Sequence, residues 1–369
     1  MHIRPDFERF RTAVLSLGEP DRVPLAEAGI DQGIRAAVLG RTIRTLADEV
    51  EFWRSAGYDF VPVNVGLRLM LGLGHNPGYD AGSRTDALAA ARLPGRARYG
   101  VGDVVERERS WAQEHKGVIT NWEEFERFPW PSAEEFDQFG TVRQVAALLP
   151  AGMKAVVYQG HIFTPVWELM GFESFCFAIG ENPELVDAVF RRIGETQVEI
   201  LSRLIELPEV GAAWQPDDIA YTEGLMVAPE HLRRWMFPYY KRMGDMCHSL
   251  GKPFIYHSDG RLFEVVDDII GCGFNALHPI EPKAMDIREL KRQYGGRLAL
   301  MGNLDLGYTL TRGTPQEVVE ETLGLLRDVG PGGGYCVGSS NSVPEYVPLA
   351  NYNAMRETVL ERGSYPISV

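Results

Sequence analysis

The segment Gly251–Gly260, GKPFIYHSDG, holds the sharpest concentration of chemistry in the chain. His257 and Asp259 stand two residues apart, and in extended backbone that spacing turns both side chains to one side. An imidazole and a carboxylate sharing a face can ligate a divalent metal, with Glu281 or a residue near Asn341 completing the set. They can equally form a proton-transfer pair in which the acid orients the ring. A purely structural use also exists, in which His257 is hydrogen-bonded in place and Asp259 caps a helix starting near Arg261. Other polar residues follow short apolar runs in the same way: Glu27, Asn64, Gln159 and His161, Asp217 and Asp218, His278 and Glu281, Asn303 and Asp305, then Ser339, Ser340 and Asn341.

The elements that must position these groups can be read from periodicity. Strand-like runs occur at Arg22–Ala26, Asp59–Val63, Lys154–Tyr158, Gly211–Trp214, Pro253–Tyr256, Phe274–Leu277, Leu298–Met301 and Gly334–Val337. Helical patterns occupy Arg41–Ala56, Pro183–Ile205, Pro229–Leu250, Leu262–Ile270, Ile287–Gln293 and Pro315–Asp328, several opened by proline at the first helical position. Strands alternating with helices imply a parallel sheet, and eight repeats imply closure into a (β/α)8 TIM barrel spanning residues 1–369 as a single domain. An open doubly wound sheet is the competing architecture, but no GxGxxG or GxxxxGK[ST] fingerprint accompanies it. In a barrel, parallel strands deliver their trailing polar residues to one mouth. On that reading Asp217, Asp218, His257 and Asn341 are the catalytic candidates. Glu27, Asn64, His161, His278 and Asn303 are the substrate-binding candidates, and His257, Asp259 and Glu281 the metal ligands.

Residues 64–150 exceed what one crossover needs, which makes them a large insertion after the second strand. Alternation in Ala97–Thr120, broken by Gly-Asp and Lys-Gly turns, predicts a β-hairpin within it. The net charge of −14, from 51 acidic against 37 basic side chains, opposes nucleic-acid binding. Cys176, Cys247, Cys272 and Cys336 are scattered and form no CxxC pair, as in reduced cytoplasmic proteins. Cys336 reads as a small inward residue of the last strand, and Cys176 and Cys272 as core. Cys247 and His248 read as structural, and His2, His75, His115 and His231 as surface. No signal-peptide core and no membrane span of about 20 apolar residues is evident.

At this point the residues resemble a known family. The runs GKPFIYHSDGRLFEVVDDIIGCGFNALHPIEP, MGNLDLGYTLTRGTPQEV and GGGYCVGSSNSVPEYVPLANYNAM, with Pro216–Tyr240, are similar to the uroporphyrinogen decarboxylase superfamily. The resemblance implies a TIM barrel and one of two chemistries: cofactor-free decarboxylation of the porphyrinogen, or zinc-dependent methyl transfer involving corrinoid proteins. The decarboxylases carry an arginine-rich segment after the first strand to clamp substrate carboxylates. Here Glu27–Gly33 reads EAGIDQG, Arg35 is the one nearby arginine, and Val63-Asn64-Val65 stands where the family has its pyrrole-binding aspartate. The methyltransferases carry a zinc motif similar to His-x-Cys with a later Cys. Here the first site is His257-Ser258-Asp259, and the late cysteine aligns near Asn341.

The resemblance without the arginine clamp implies a metal-assisted, corrinoid-linked methyltransferase acting on a small methylated or methoxylated compound. Zinc would be the divalent metal, and a partner protein would supply the corrinoid. A decarboxylase using Asp217 or Asp218 with His257 is the second hypothesis, and a non-catalytic corrinoid-protein partner the third. The expected partners are a small-molecule substrate and a corrinoid protein, with a homodimer left open and neither nucleic acid nor membrane involved.

Overall fold

The computed structural model describes residues 4–65, 71, 117–136 and 138–369, together with the backbone of residues 97–98 and 108–109. Seven parallel strands form one sheet in sequence order: β1 (Phe60–Asn64), β2 (Lys154–Tyr158), β3 (Val210–Pro216), β4 (Phe254–His257), β5 (Ala276–His278), β6 (Ala299–Leu304) and β7 (Tyr335–Ser339). Helices intervene between successive strands, so the sheet curls with its helices outside, as an α/β barrel. The run Arg22–Ala26 takes the eighth place beside β7. Ala26 N–H donates to Val337 O (2.8 Å) and Val337 N–H to Pro24 O (2.9 Å), a parallel bridge at Leu25↔Val337. Pro24 has no N–H to give, which limits this segment to a bridge where the sequence predicted a full strand.

Strand alternation divides the apolar residues into two bodies. Leu25, Val61, Val63, Val157, Ala213, Tyr256, Leu277, Leu300 and Val337 point outward and pack under the helices. Ala26, Phe60, Val156, Ala212, Trp214, Ile255, Ala276, Ala299, Met301 and Cys336 point inward. That inner body is completed by Phe7, Phe10, Ala13 and Val14 of helix Phe7–Val14. This helix plugs the base of the barrel, because its contacts are all at strand beginnings. Phe7 N–H donates to Gly152 O (2.7 Å) before β2, and Asp6 N–H and Arg9 Nη1 reach Asp59 Oδ1 (2.9 and 2.6 Å) before β1. The inward position of Cys336 agrees with the sequence expectation.

Local signals set most helix ends. Helix Pro183–Ile205 begins at the predicted residue, with the Asn182 side chain accepting from Leu185 N–H. Thr45 with Asp48, and Thr314 with Glu317, form capping boxes, so the third helix starts at Leu46 rather than Arg41. The predicted helix Pro229–Leu250 is two helices, Pro229–Trp235 and Phe237–Ser249, broken at Met236. Pro238 lacks the N–H that a continuous helix would need there. Cys176, expected in the core, is exposed, because helix Phe172–Glu181 buries only Phe175. Within the insertion, Ala97–Arg98 pairs antiparallel with Glu108–Arg109. Its residues 66–70, 72–96, 99–107, 110–116 and 137 lie outside the described residues, as do His2, His75 and His115.

Two features of this frame carry testable consequences. Between β2 and β3 the register shifts at Gly211, and a Cβ there would lie 2.4 Å from the Phe7 ring. Gly211→Ala should therefore force the basal plug outward and cost about 1–3 kcal/mol in chemical denaturation. Unchanged stability would mean the plug does not bear on β3.

Glu27, fully buried, clasps the eighth segment to β7 by accepting the Ser339 N–H (2.6 Å) and Oγ–H (2.8 Å). Burial pushes its carboxyl up to about 8, against the pull of those two donors. The unfolded carboxyl ionises near 4.5, so its contribution is full below that value and is lost as pH rises toward 8. The slope reaches about 1.4 kcal/mol per pH unit. Glu27→Gln keeps an acceptor for Ser339 N–H and should flatten this part of the stability–pH profile. Parallel profiles for the two proteins would refute the assignment.

Candidate metal centre

The centre lies at the opposite end from the plug, where β4 and β5 finish. His257 and His278 are register partners on these two strands, so the ladder itself sets their rings side by side. Their Nδ1 atoms are 2.7 Å apart. His278 is fully buried and packs edge-to-face on Trp214, with ring centroids 4.8 Å apart at 86°. Tyr158, from β2, stands edge-on to His257 at 6.1 Å. Burial lowers the proton affinity of both imidazoles, that of His278 well below the usual histidine range. Burial thus favours the neutral form of both rings.

Beyond His257 the chain continues extended, and alternation sends Ser258 one way and Asp259 the other. Ser258 Oγ accepts the Ile219 N–H (3.1 Å) on the wall side. Asp259 comes round to His257, with Oδ1 3.9 Å from Nε2. Asp259 Oδ2 accepts from Asn341 Nδ2 (2.6 Å), while Oδ1 is buried with no hydrogen-bond partner. The Asp259 N–H donates to Asp218 Oδ1 (2.9 Å). Burial, and then the like charges of Asp218 and Glu281, raise the proton affinity of Asp259 well above the ordinary carboxyl range. Gly260, at φ +86°, turns the loop back; a Cβ there would meet the Ala220 backbone at 2.6 Å.

Asp218, His257 and Asp259 each present a ligand atom, all within 4.8 Å of one another. One imidazole nitrogen and two carboxylate oxygens suit a borderline divalent ion and leave further coordination positions open. The unpartnered Asp259 oxygen is the observation that fits a cation here, since a buried acceptor without a donor is otherwise costly. Asp218 is exposed, which gives the group an open side. Glu281 stands one step back from where the sequence set it among the ligands: its Oε2 accepts the Gly260 N–H (2.8 Å) and steadies the loop. Nor does Asp259 cap a helix, because the following turn starts at Leu262 without any side-chain cap.

The other candidates are dispersed. Asp217, fully buried, faces away from the group and accepts from the N–H of Ile162, Phe163 and Thr164, from Thr164 Oγ and from Tyr240 Oη, all at 2.7–2.8 Å. It thereby seats the start of helix Phe163–Met170 and the loop carrying His161, whose backbone sits at φ +67°. Asn303, at φ +145°, turns its amide to Ile280 O. Asn64 is half-buried at the rim, in register with Tyr158. Glu27 lies on the β7 side, bonded to Ser339. Arg35 is buried and paired with Glu49. The packing of Tyr158 and Trp214 round the histidines was not foreseen, although both stand at inward strand positions of the sequence pattern.

Comparison with known proteins agrees with this architecture. No curated protein matches the sequence. Among solved structures the chain is similar to a methyltransferase from Methanosarcina mazei, at 16% identity and a TM-score of 0.65, covering 96% of this chain and 98% of that one. It is also similar to rutinosidase from Aspergillus niger, at 11% identity and a TM-score of 0.44, over 94% of this chain and 98% of that one. The first likeness is one of fold. The sequence model of uroporphyrinogen decarboxylase (URO-D) matches residues 108–362, well over half of the chain. The chain belongs to the uroporphyrinogen decarboxylase family.

Proposed function

We propose that this member of the family is a metal-assisted methyltransferase, moving a methyl group from a small methylated or methoxylated compound to a corrinoid carried by a partner protein. Asp218, His257 and Asp259 would hold the divalent ion, zinc being the metal such a donor set accommodates without redox chemistry. The reading rests on one observation above the rest: the three ligand atoms gathered within 4.8 Å, with Asp259 Oδ1 buried and unpartnered among them. When bound, the ion would supply Lewis acidity toward the heteroatom that bears the methyl group.

The chain's own residues prepare the site for it. Asn341 holds Asp259 by Oδ2, so that Oδ1 is turned to His257. Tyr158 and Trp214 give the histidines an apolar wall, which keeps water from that side and strengthens electrostatic contacts. The Asp217 hydrogen bonds hold the neighbouring loop against β3.

Decarboxylation of a polycarboxylate is the second reading, favoured by the family's name. Against it stands Arg35, the arginine nearest the place of the expected clamp, which is buried on Glu49.

Metal analysis of the purified protein should find about one divalent ion per chain. His257→Ala and Asp218→Asn should lose it, together with methyl transfer to reduced cobalamin. Protein devoid of metal, with methyl transfer intact in His257→Ala, would overturn the reading. Turnover of uroporphyrinogen at ordinary enzymic rates would establish the decarboxylase instead.

A further inference from the structure

We infer that His278 is a positioning residue that fixes the tautomer of His257: His257 Nδ1–H donates to His278 Nδ1, leaving the His257 Nε2 lone pair turned toward Asp218 and Asp259. The inference deepens the metal reading above and rests on it for the direction of the bond. Its geometry comes from the fold. His257 and His278 lie opposite each other in the β4–β5 ladder, and Ser258 N–H donates to His278 O (3.1 Å) one step beyond. That register brings Nδ1 to within 2.7 Å of Nδ1.

Two identical nitrogens at this separation share one hydrogen, so one ring is the donor and the other the acceptor. The Nε2 edge of His257 belongs to the group of three ligands. A ring nitrogen can ligate a cation only through its lone pair, which puts the His257 hydrogen on Nδ1. The His278 hydrogen then resides on Nε2. That atom is buried without a hydrogen-bond partner, in a ring packed edge-to-face on Trp214. An N–H beside an indole can be accommodated by contact with the π system, whereas a bare lone pair there receives no hydrogen bond.

His278 is fully buried, so it reaches substrate only through His257. A second imidazole in the place more often taken by a carboxylate or carbonyl accepts the ligand's hydrogen without adding another negative charge to a mouth that already holds Asp218, Asp259 and Glu281.

The test has two arms. Long-range 1H–15N correlation spectra of the wild-type protein should show His257 with its hydrogen on Nδ1 and His278 with its hydrogen on Nε2. Zinc titration by calorimetry should then rank three proteins. His278→Leu, which removes the acceptor, should lose about 10–100-fold in affinity. His278→Asn places Oδ1 where Nδ1 stood and should stay close to the wild type. A folded His278→Leu that binds zinc like the wild type would overturn the inference while leaving the metal reading intact, and a His257 hydrogen found on Nε2 would overturn the inference together with ligation through that atom. If the wild type binds no zinc, the metal reading falls, and the ring-nitrogen spectra still decide whether His278 sets the tautomer. The spectra need no variant, so a His278→Leu protein that fails to fold does not shield the inference.

Discussion

Neighbouring side chains of an extended strand point to opposite sides, and the organisation of this protein follows from that alternation. It separates the inner body around Phe60, Trp214 and Ile255 from the outer layer under the helices. At the end of β3 it parts two adjacent aspartates. Asp217 turns into the wall and seats a helix start, while Asp218 turns to the mouth beside Asp259. At the end of β4 it joins His257 to Asp259 and excludes Ser258, which serves the wall instead. The same rule, applied across the ladder in register, sets His278 against His257. No loop has to be bent into place for this pair of rings.

Much of this was legible in the sequence. Seven of the eight strand runs are ladder strands at nearly the predicted limits, and the His257–Asp259 spacing told correctly that the two share a face. The rest was hidden for definite reasons. Periodicity cannot show that a strand such as Arg22–Ala26 will make a single bridge to β7, because that depends on where Pro24 falls opposite it. The split between Asp217 and Asp218 was present in the pattern as a parity, but which of the two faced the mouth depended on the exact end of the strand. The sequence offered Glu281 as the third ligand because it too follows a strand. Only the fold shows it giving its carboxylate to the Gly260 N–H. Cys176 read as core, and it lies outside because Phe175 is the residue that its helix turns inward.

The group formed by Asp218, His257 and Asp259 brings together one imidazole and two carboxylates, with no thiolate among them. Asp259 and Asn341, which the sequence resemblance sets at or near the places of two thiolates, are hydrogen-bonded to each other at 2.6 Å. The Asn341 amide thus supports the Asp259 carboxylate. Asp218 brings an oxygen from a different strand end. A set of one imidazole nitrogen and two carboxylate oxygens is harder than a thiolate set would be.

The helix Phe7–Val14 sits at the strand beginnings and the histidine pair at the strand ends, with the whole depth of the barrel between them. One consequence is directional. The residues that close the floor and those gathered at the strand ends belong to opposite poles, so a substitution in the plug reaches the histidine pair only through the strands between them.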